Sequence, residues 1–416
     1  MTRVLESLVP ARLGTGFRRL LASSWSSNLG DGFAFAAGPL LVASQTDDAF
    51  LVAMAATLQW LPHLLFGLHA GALSDRLDRR RVVIAADVLR MLLLGLLAAS
   101  IVTGSVSIGA VLLLLFLLST AEVFADNASH TLLPMLVDRK DLALANARIM
   151  AGFVTVNQLV GPPIGAALFA VGMALPFLGQ AILVGFAAVL VSRIRLPRHG
   201  RDPAATSSIA DEIAEGWRWV RGHAAVRTLV LTIFTFNITF GAAWSVLVLY
   251  SSERLGLGEV GFGLITTVMA LGGVMGTVSY GRITARISLA DLMRIGLVIE
   301  TLTHLGLALA TSPLVAMPIF FVFGAHAFVW GTTSSAIRQR AVPLALQGRV
   351  GSVNTVGTFG GLVLGSVLGG LLAQLLGVVA PFWFAFLGSA LFLVLIWGEL
   401  RHIAHAEQAS PSGSTA

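Results

Sequence analysis

Apolar stretches of about twenty residues recur along nearly the whole chain, each long enough as a helix to cross a hydrocarbon core of about 30 Å. Only 12% of the 416 residues are charged, with 44 glycines and 24 phenylalanines, and the mean hydropathy is +0.86. No soluble domain has this composition. The reading is an all-α, polytopic membrane protein of about twelve spans, six in each of two bundles. The expected organisation is a tail at 1–18, a six-helix bundle at 19–196, a central loop at 197–225, a second bundle at 226–400 and a disordered tail at 401–416. The first nineteen residues lack the continuous apolar core of a signal peptide and are expected to remain as a cytoplasmic tail. There is no cysteine, so disulfides, thiolate metal sites and cysteine nucleophiles are excluded.

Basic residues crowd alternate loops: Arg76 to Arg81, Arg139 to Arg148, Arg193 to Arg227, Arg282 with Arg286, and Arg338 to Arg349. Arg254 is the one cation clearly on the opposite face. With an even number of spans, the positive-inside rule puts both termini in the cytoplasm. The isoelectric point near 11.0 therefore reports topology, and nucleic acid is not an expected partner. The longest polar interruption carries SSIADEIAEGWRWVRGHAAVR, where Ile209, Ile213, Gly216, Trp217 and Val220 share a helical face. That pattern suits a helix lying on the inner leaflet, or a plain helical linker. The halves echo each other: a charged segment precedes spans five and eleven, and a proline–phenylalanine pair follows each at Pro176–Phe177 and Pro381–Phe382. Such similarity points to duplicated six-helix halves.

Between spans two and three stands GALSDRLDRRRV, Gly71 to Val82. Gly71, Leu73, Asp75, Arg76, Arg79 and Arg80 match the loop signature of the major facilitator superfamily, and the chain resembles that family over nearly its full length. SNLGDGFAFAAGPLLV, LLPMLV with ANAR, EGWRWVRGH and RQRAVP with GRVGSVN resemble the drug:proton antiporters that include macrolide and enterobactin exporters. The resemblance implies a bacterial inner-membrane, multi-pass transporter, monomeric, with a small-molecule substrate, protons and membrane lipids as partners. Gly71, Asp75, Arg76, Arg79, Arg80 and Asp87 would then form a cytoplasmic latch, Asp75 meeting the N-terminus of the eleventh helix and the arginines pairing with acids such as Asp87 or with phospholipid headgroups. Where the signature usually has glycine this chain has Asp78, which tolerates a left-handed turn less well.

Acids inside spans are costly unless paired, hydrated or protonated. Asp31 lies midway along the first span beside Asn28, and Glu122 and Asp126 share a face of the fourth. All three are candidates for proton coupling; a structural hydrogen bond is the alternative for Asp31, and pairing with cytoplasmic arginines for Asp126. Glu300 and His304 form a possible relay or a structural pair on the ninth span. By the resemblance, helices one, four, seven and ten line a central cavity, so Asn28, Asn237, Trp244, His326 and Trp330 are candidate substrate contacts. Gly161, Pro162 and Gly165 in GPPIGA are similar to the end of the helix-five antiporter motif. No P-loop, HExxH or GxSxG occurs, so neither a catalytic residue, a metal site nor a cofactor is expected. The expected function is export of amphipathic small molecules by proton antiport and alternating access. The alternatives are a lysophospholipid or lipid-like flippase, and a transport-inactive sensor or scaffold.

Overall fold

The computed structural model describes residues 11–195, 209–343 and 346–400, and the tail at 401–416 lies outside them. Among the described residues every regular element is helical. In chain order, α1 is Gly14–Ala43, α2 Ala49–Arg76, α3 Arg79–Val102 and α4 Ile108–Leu136. α5 (Leu142–Gly152) runs through a π-helical stretch, Phe153–Val160, into α6 (Gly161–Val171), and α7 (Leu175–Ser192) follows. α8 is Ile209–Gly222, α9 Ala224–Trp244, α10 Glu259–Thr284 and α11 Leu289–Leu309. α12 (Pro313–Ala341), α13 (Gln347–Leu376) and α14 (Ala380–Ile396) complete the chain. α1 begins at Gly14 with φ +80°, four residues earlier than the expected end of the tail.

Ten spans among the described residues are long and apolar enough to cross a membrane, with α5, the π-helical stretch and α6 forming one of them. α1 and α14 occupy the places of the first and twelfth expected spans but lie outside that set. α1 is diluted by Ser23, Ser24, Ser26, Ser27, Asn28 and Asp31, and α14 is 17 residues long. The helix ends follow local chemistry. Asp78, Ser107 and Ser288 cap α3, α4 and α11 through their side chains, and Gly377 at φ +90° ends α13.

Asp78 is thus a helix cap: with φ −67° it sits in extended backbone and accepts a hydrogen bond from the Arg81 amide at 3.2 Å. The left-handed turn expected at this position does not form.

Chain contacts divide the protein into two compact units. The first gathers the described residues of Met1–Asp47, Leu58–Thr206 and Gly258–Thr267, the second those of Asp48–Thr57, Ser207–Leu257 and Val268–Ala416. Because lipid tails are as apolar as leucine, helices in a bilayer associate by close packing of small residues. In the first unit, a Cβ on Gly32 would fall 2.6 Å from the Asn157 carbonyl oxygen, and one on Gly165 would land on the Phe33 backbone. α1 therefore packs directly on α6 and the π-helical stretch. Phe17, Leu20, Leu132 and Val191 belong to one buried cluster of that unit. In the second unit, Gly361, Gly365 and Gly369 of α13 meet the backbone of α9, while Gly272 and Gly276 of α10 meet that of α12.

α8 departs from the expected helix on a lipid surface. Gly216 and Val220 turn into the protein, Gly216 against the Arg349 carbonyl and Val220 into a cluster with Val226, Val350 and Val353. Glu215 pairs with Arg349 at 2.5 Å, and Trp217 is left on the exposed side under Arg221.

Candidate functional site

The chemistry of the first unit concentrates around one residue, Arg90 on α3. Its side chain is 2% exposed, and it is the largest fully buried side chain of those described. A guanidinium at membrane depth persists only where acids and acceptors surround it. Arg90 Nη2 donates to Asp31 Oδ1 in a close ion pair, and Nη1 reaches Ser27 Oγ at 3.1 Å and Asp87 Oδ1 at 3.3 Å. Gln180 of α7 donates to the same Asp31 oxygen at 3.0 Å, and Ser27 to the other at 3.4 Å. Three helices thus meet on one carboxylate.

Close approach makes this possible. Gly30, next to Asp31, leaves room for Gln180: a Cβ there would come within 3.0 Å of its Cγ. Asn157, on the π-helical stretch, donates to the Asn28 carbonyl at 3.2 Å, one turn before Asp31. Pro162 and Pro163 start α6 without backbone donors, a position where a chain leaves regular i→i+4 pairing at small cost. Gly161, Pro162 and Gly165 are buried where α6 meets α1.

Glu122 and Asp126 of α4 lie within electrostatic range of Arg90, Asp31 and Asp87. Neither carboxylate hydrogen-bonds to a described residue. Asp126 is exposed to a water-sized molecule and Glu122 partly so. Asp31 and Asp87 therefore contact a single guanidinium, with Glu122 and Asp126 within its electrostatic range. One cation neutralises one carboxylate, and the others must be hydrated, protonated or matched by a ligand's charge.

The expected latch is distributed differently. Asp87 is 4% exposed and belongs to the Arg90 cluster. Arg80 donates to the Ile194 carbonyl at 2.7 Å, and Arg79 to the Met135 sulfur at 3.3 Å. Gly71 lies 3.9 Å, measured from an added Cβ, from Asn127 Oδ1. The side chains of Asp75 and Arg76 lie outside the described residues.

In the second unit, Asn237 donates to the Ile233 carbonyl of its own helix. Trp244 stacks on Phe240 with ring centres 4.4 Å apart and lies 4.8 Å from Phe323. His326 turns to α11, its Nε2 3.2 Å from Glu300 Oε2. Glu300 thus pairs across helices, and both ring nitrogens of His304 are buried without a hydrogen-bond partner. Asn28 bonds back to Ser24 at 2.8 Å. The structure brings Asp31, Glu122 and Asp126 into one electrostatic group, and within the second unit it leaves Asn237 and His326 hydrogen-bonded and Trp244 stacked on its neighbours. Sequence reasoning missed Arg90 and Gln180. The signal for Arg90 was present: a lone arginine one helical turn after Asp87, inside an apolar run.

Comparison with known proteins fits this architecture. The chain is 23% identical over 365 residues to macrolide efflux protein A of Streptococcus pyogenes, covering 85% of this chain and 87% of that one. It is 27% identical over 384 residues to the multidrug efflux pump Tap of Mycolicibacterium fortuitum, covering 87% and 90%. The crystal structure of a nucleoside transporter superposes with a TM-score of 0.74 at 12% identity, covering 92% of this chain and 99% of that one. The profile of the transmembrane secretion effectors matches residues 6–414, and the chain belongs to that family of the major facilitator superfamily.

Proposed function

We propose that this transporter is an exporter of amphipathic small molecules, driven by proton antiport and alternating access in a bacterial inner membrane. Both termini are cytoplasmic in this reading, and the protein acts as a monomer. The observation that carries it is the group of four carboxyls around the buried Arg90. Export is supported by the relatives named as efflux proteins.

The chemistry follows from the charge balance. While Arg90 holds Asp31, the acids of α4 carry the surplus negative charge and take protons from whichever side water reaches them. A substrate bringing positive charge or hydrogen-bond donors satisfies the same oxygens and expels the protons. Binding and protonation then exclude each other, which is what antiport requires. Gln180 and Ser27 orient Asp31 toward Arg90. Gly71, Asp75, Arg76, Arg79 and Arg80 hold the cytoplasmic side closed during part of the cycle, while Asp87 belongs to the charge cluster.

The test uses inverted vesicles energised with a proton gradient and supplied from outside with a fluorescent dye or a macrolide. Asp31→Asn and Glu122→Gln are each expected to lower gradient-driven uptake at least tenfold while the protein still elutes as a folded species. Unchanged proton-coupled uptake in both variants would remove the cluster from the mechanism.

A further inference from the structure

A groove of about 420 Å³ lies in the second unit where the first turns of α11 pass the end of α14, apart from the Arg90 cluster. Asp291, Arg294 and Trp397 line its polar end, and Ile295, Val298 and Ile299 its apolar length. Ile295, Leu302 and Leu309 are all strongly exposed, and positions seven apart share a helix face. An apolar track therefore runs down α11 from the charged pair, and in a bilayer that track meets acyl chains.

The polar end is held in place. Ser288 donates to Asp291 Oδ2 at 2.8 Å, and Arg294 Nη1 to Asp291 Oδ1 at 3.2 Å. The guanidinium carbon lies 5.5 Å from the centre of the Trp397 ring, a cation–π contact that fixes the plane of the group. Arg294 Nε is shut in without a partner, whereas Nη2 is neither shut in nor hydrogen-bonded to a described residue. The Asp291 side chain is 56% exposed, and its carboxylate keeps lone pairs beyond these two contacts. The groove thus offers an open donor and an open acceptor side by side, with no net charge between them. Trp397, exposed just beyond the end of α14, is the kind of residue that sits at headgroup level.

We propose that this groove holds a bilayer phospholipid with a zwitterionic, primary-amine headgroup, of the phosphatidylethanolamine type. A phosphate oxygen accepts from Arg294 Nη2, and the ammonium donates to the Asp291 carboxylate. One acyl chain lies along Ile295, Val298 and Leu302. The two charges of the headgroup then meet the two charges of the pair in the opposite order. A quaternary ammonium has no N–H to donate, and an anionic headgroup without an amine sets a second negative charge beside Asp291. The inference goes beyond the exporter reading and does not depend on coupling at Asp31.

The experiment titrates the whole protein, in mild detergent, with phosphatidylethanolamine, phosphatidylcholine and phosphatidylglycerol of identical chains, and counts bound lipid by native mass spectrometry. The ethanolamine lipid is expected to bind about tenfold more tightly than either of the others, the scale of one hydrogen bond to a charged group. Arg294→Gln should abolish that preference. Asp291→Asn leaves the backbone contact to the Ser288 cap in place and should turn the preference toward phosphatidylglycerol, a reversal that loss of a purely structural contact does not give. Arg81→Gln, at an exposed cation of the first unit, should leave the order intact. Glycerophosphoethanolamine, the same headgroup without chains, should not displace the lipid. Melting curves check folding, and if Arg294→Gln does not fold, Asp291→Asn decides. Equal binding of the three lipids by the unaltered protein would overturn the proposal, as would a preference that survives both groove variants. Displacement by the chainless headgroup at equal concentration would overturn the lipid as occupant. The vesicle assay is separate: loss of gradient-driven uptake there sinks the exporter reading and leaves this one standing.

Discussion

Replacing Arg90 by methionine keeps most of the side chain's length and deletes its charge. In the unaltered protein the guanidinium is 2% exposed and serves Asp31, Asp87 and Ser27 together. Removing one partner of a buried ionic group leaves the others uncompensated, at a cost of about 3–5 kcal/mol. Asp31→Asn is milder. An amide oxygen still accepts from Gln180, and Arg90 keeps Asp87, so the loss is about that of a hydrogen bond to a charged group, ~1.5–3 kcal/mol. If the two residues acted independently, the double variant would lose ~5 kcal/mol or more, the sum of those costs. As a pair, the double variant removes both charges and should be no less stable than Arg90→Met alone. The assay is equilibrium unfolding of the four proteins in mixed micelles, followed by far-ultraviolet circular dichroism. A double variant equal to the sum of the singles within ~0.5 kcal/mol would refute the pairing.

Two other outcomes are expected. Gly165→Leu puts a side chain onto the Phe33 backbone, so α1 and α6 must separate; the strain is ~1–3 kcal/mol, seen as a lower melting temperature, and a variant as stable as the parent would contradict the close approach. Asp78→Ala removes the α3 cap and should cost ~1 kcal/mol, whereas Asp78→Gly should cost only a few tenths; the check is a melting temperature lowered more by alanine than by glycine, with faster hydrogen exchange of the Arg81 amide in both because both delete its acceptor.

The periodic apolar runs made the helical fold legible, because length and hydropathy are local properties. Asp31 was legible for the same reason: a carboxylate between glycines in a span has no bland explanation in composition. Arg90 was overlooked because the arginines were read for sidedness, and the positive-inside rule assigns cations to loops. Its partner on another helix, 59 positions away, is a tertiary fact. His326 shows the converse. Helix periodicity gives relative angles on α12, but which neighbour a face meets depends on packing, and here that neighbour is Glu300 of α11. Asp78 was misread through a family pattern. The pattern recorded the usual residue, while the backbone at this position is one any N-cap adopts.

The π-helical stretch Phe153–Val160 has a bearing on how relatives are aligned. A π-turn holds one residue more than an α-turn, and each residue advances an α-helix by about 100°. A homologue with one residue fewer in this stretch, and regular pairing throughout, presents a different face of its fifth span beyond that point. Gapless alignment through this segment would then equate residues that point in different directions. The spacing between Asn157 and Gly161 is therefore as informative as their identities when deciding which family members share the α1 contact.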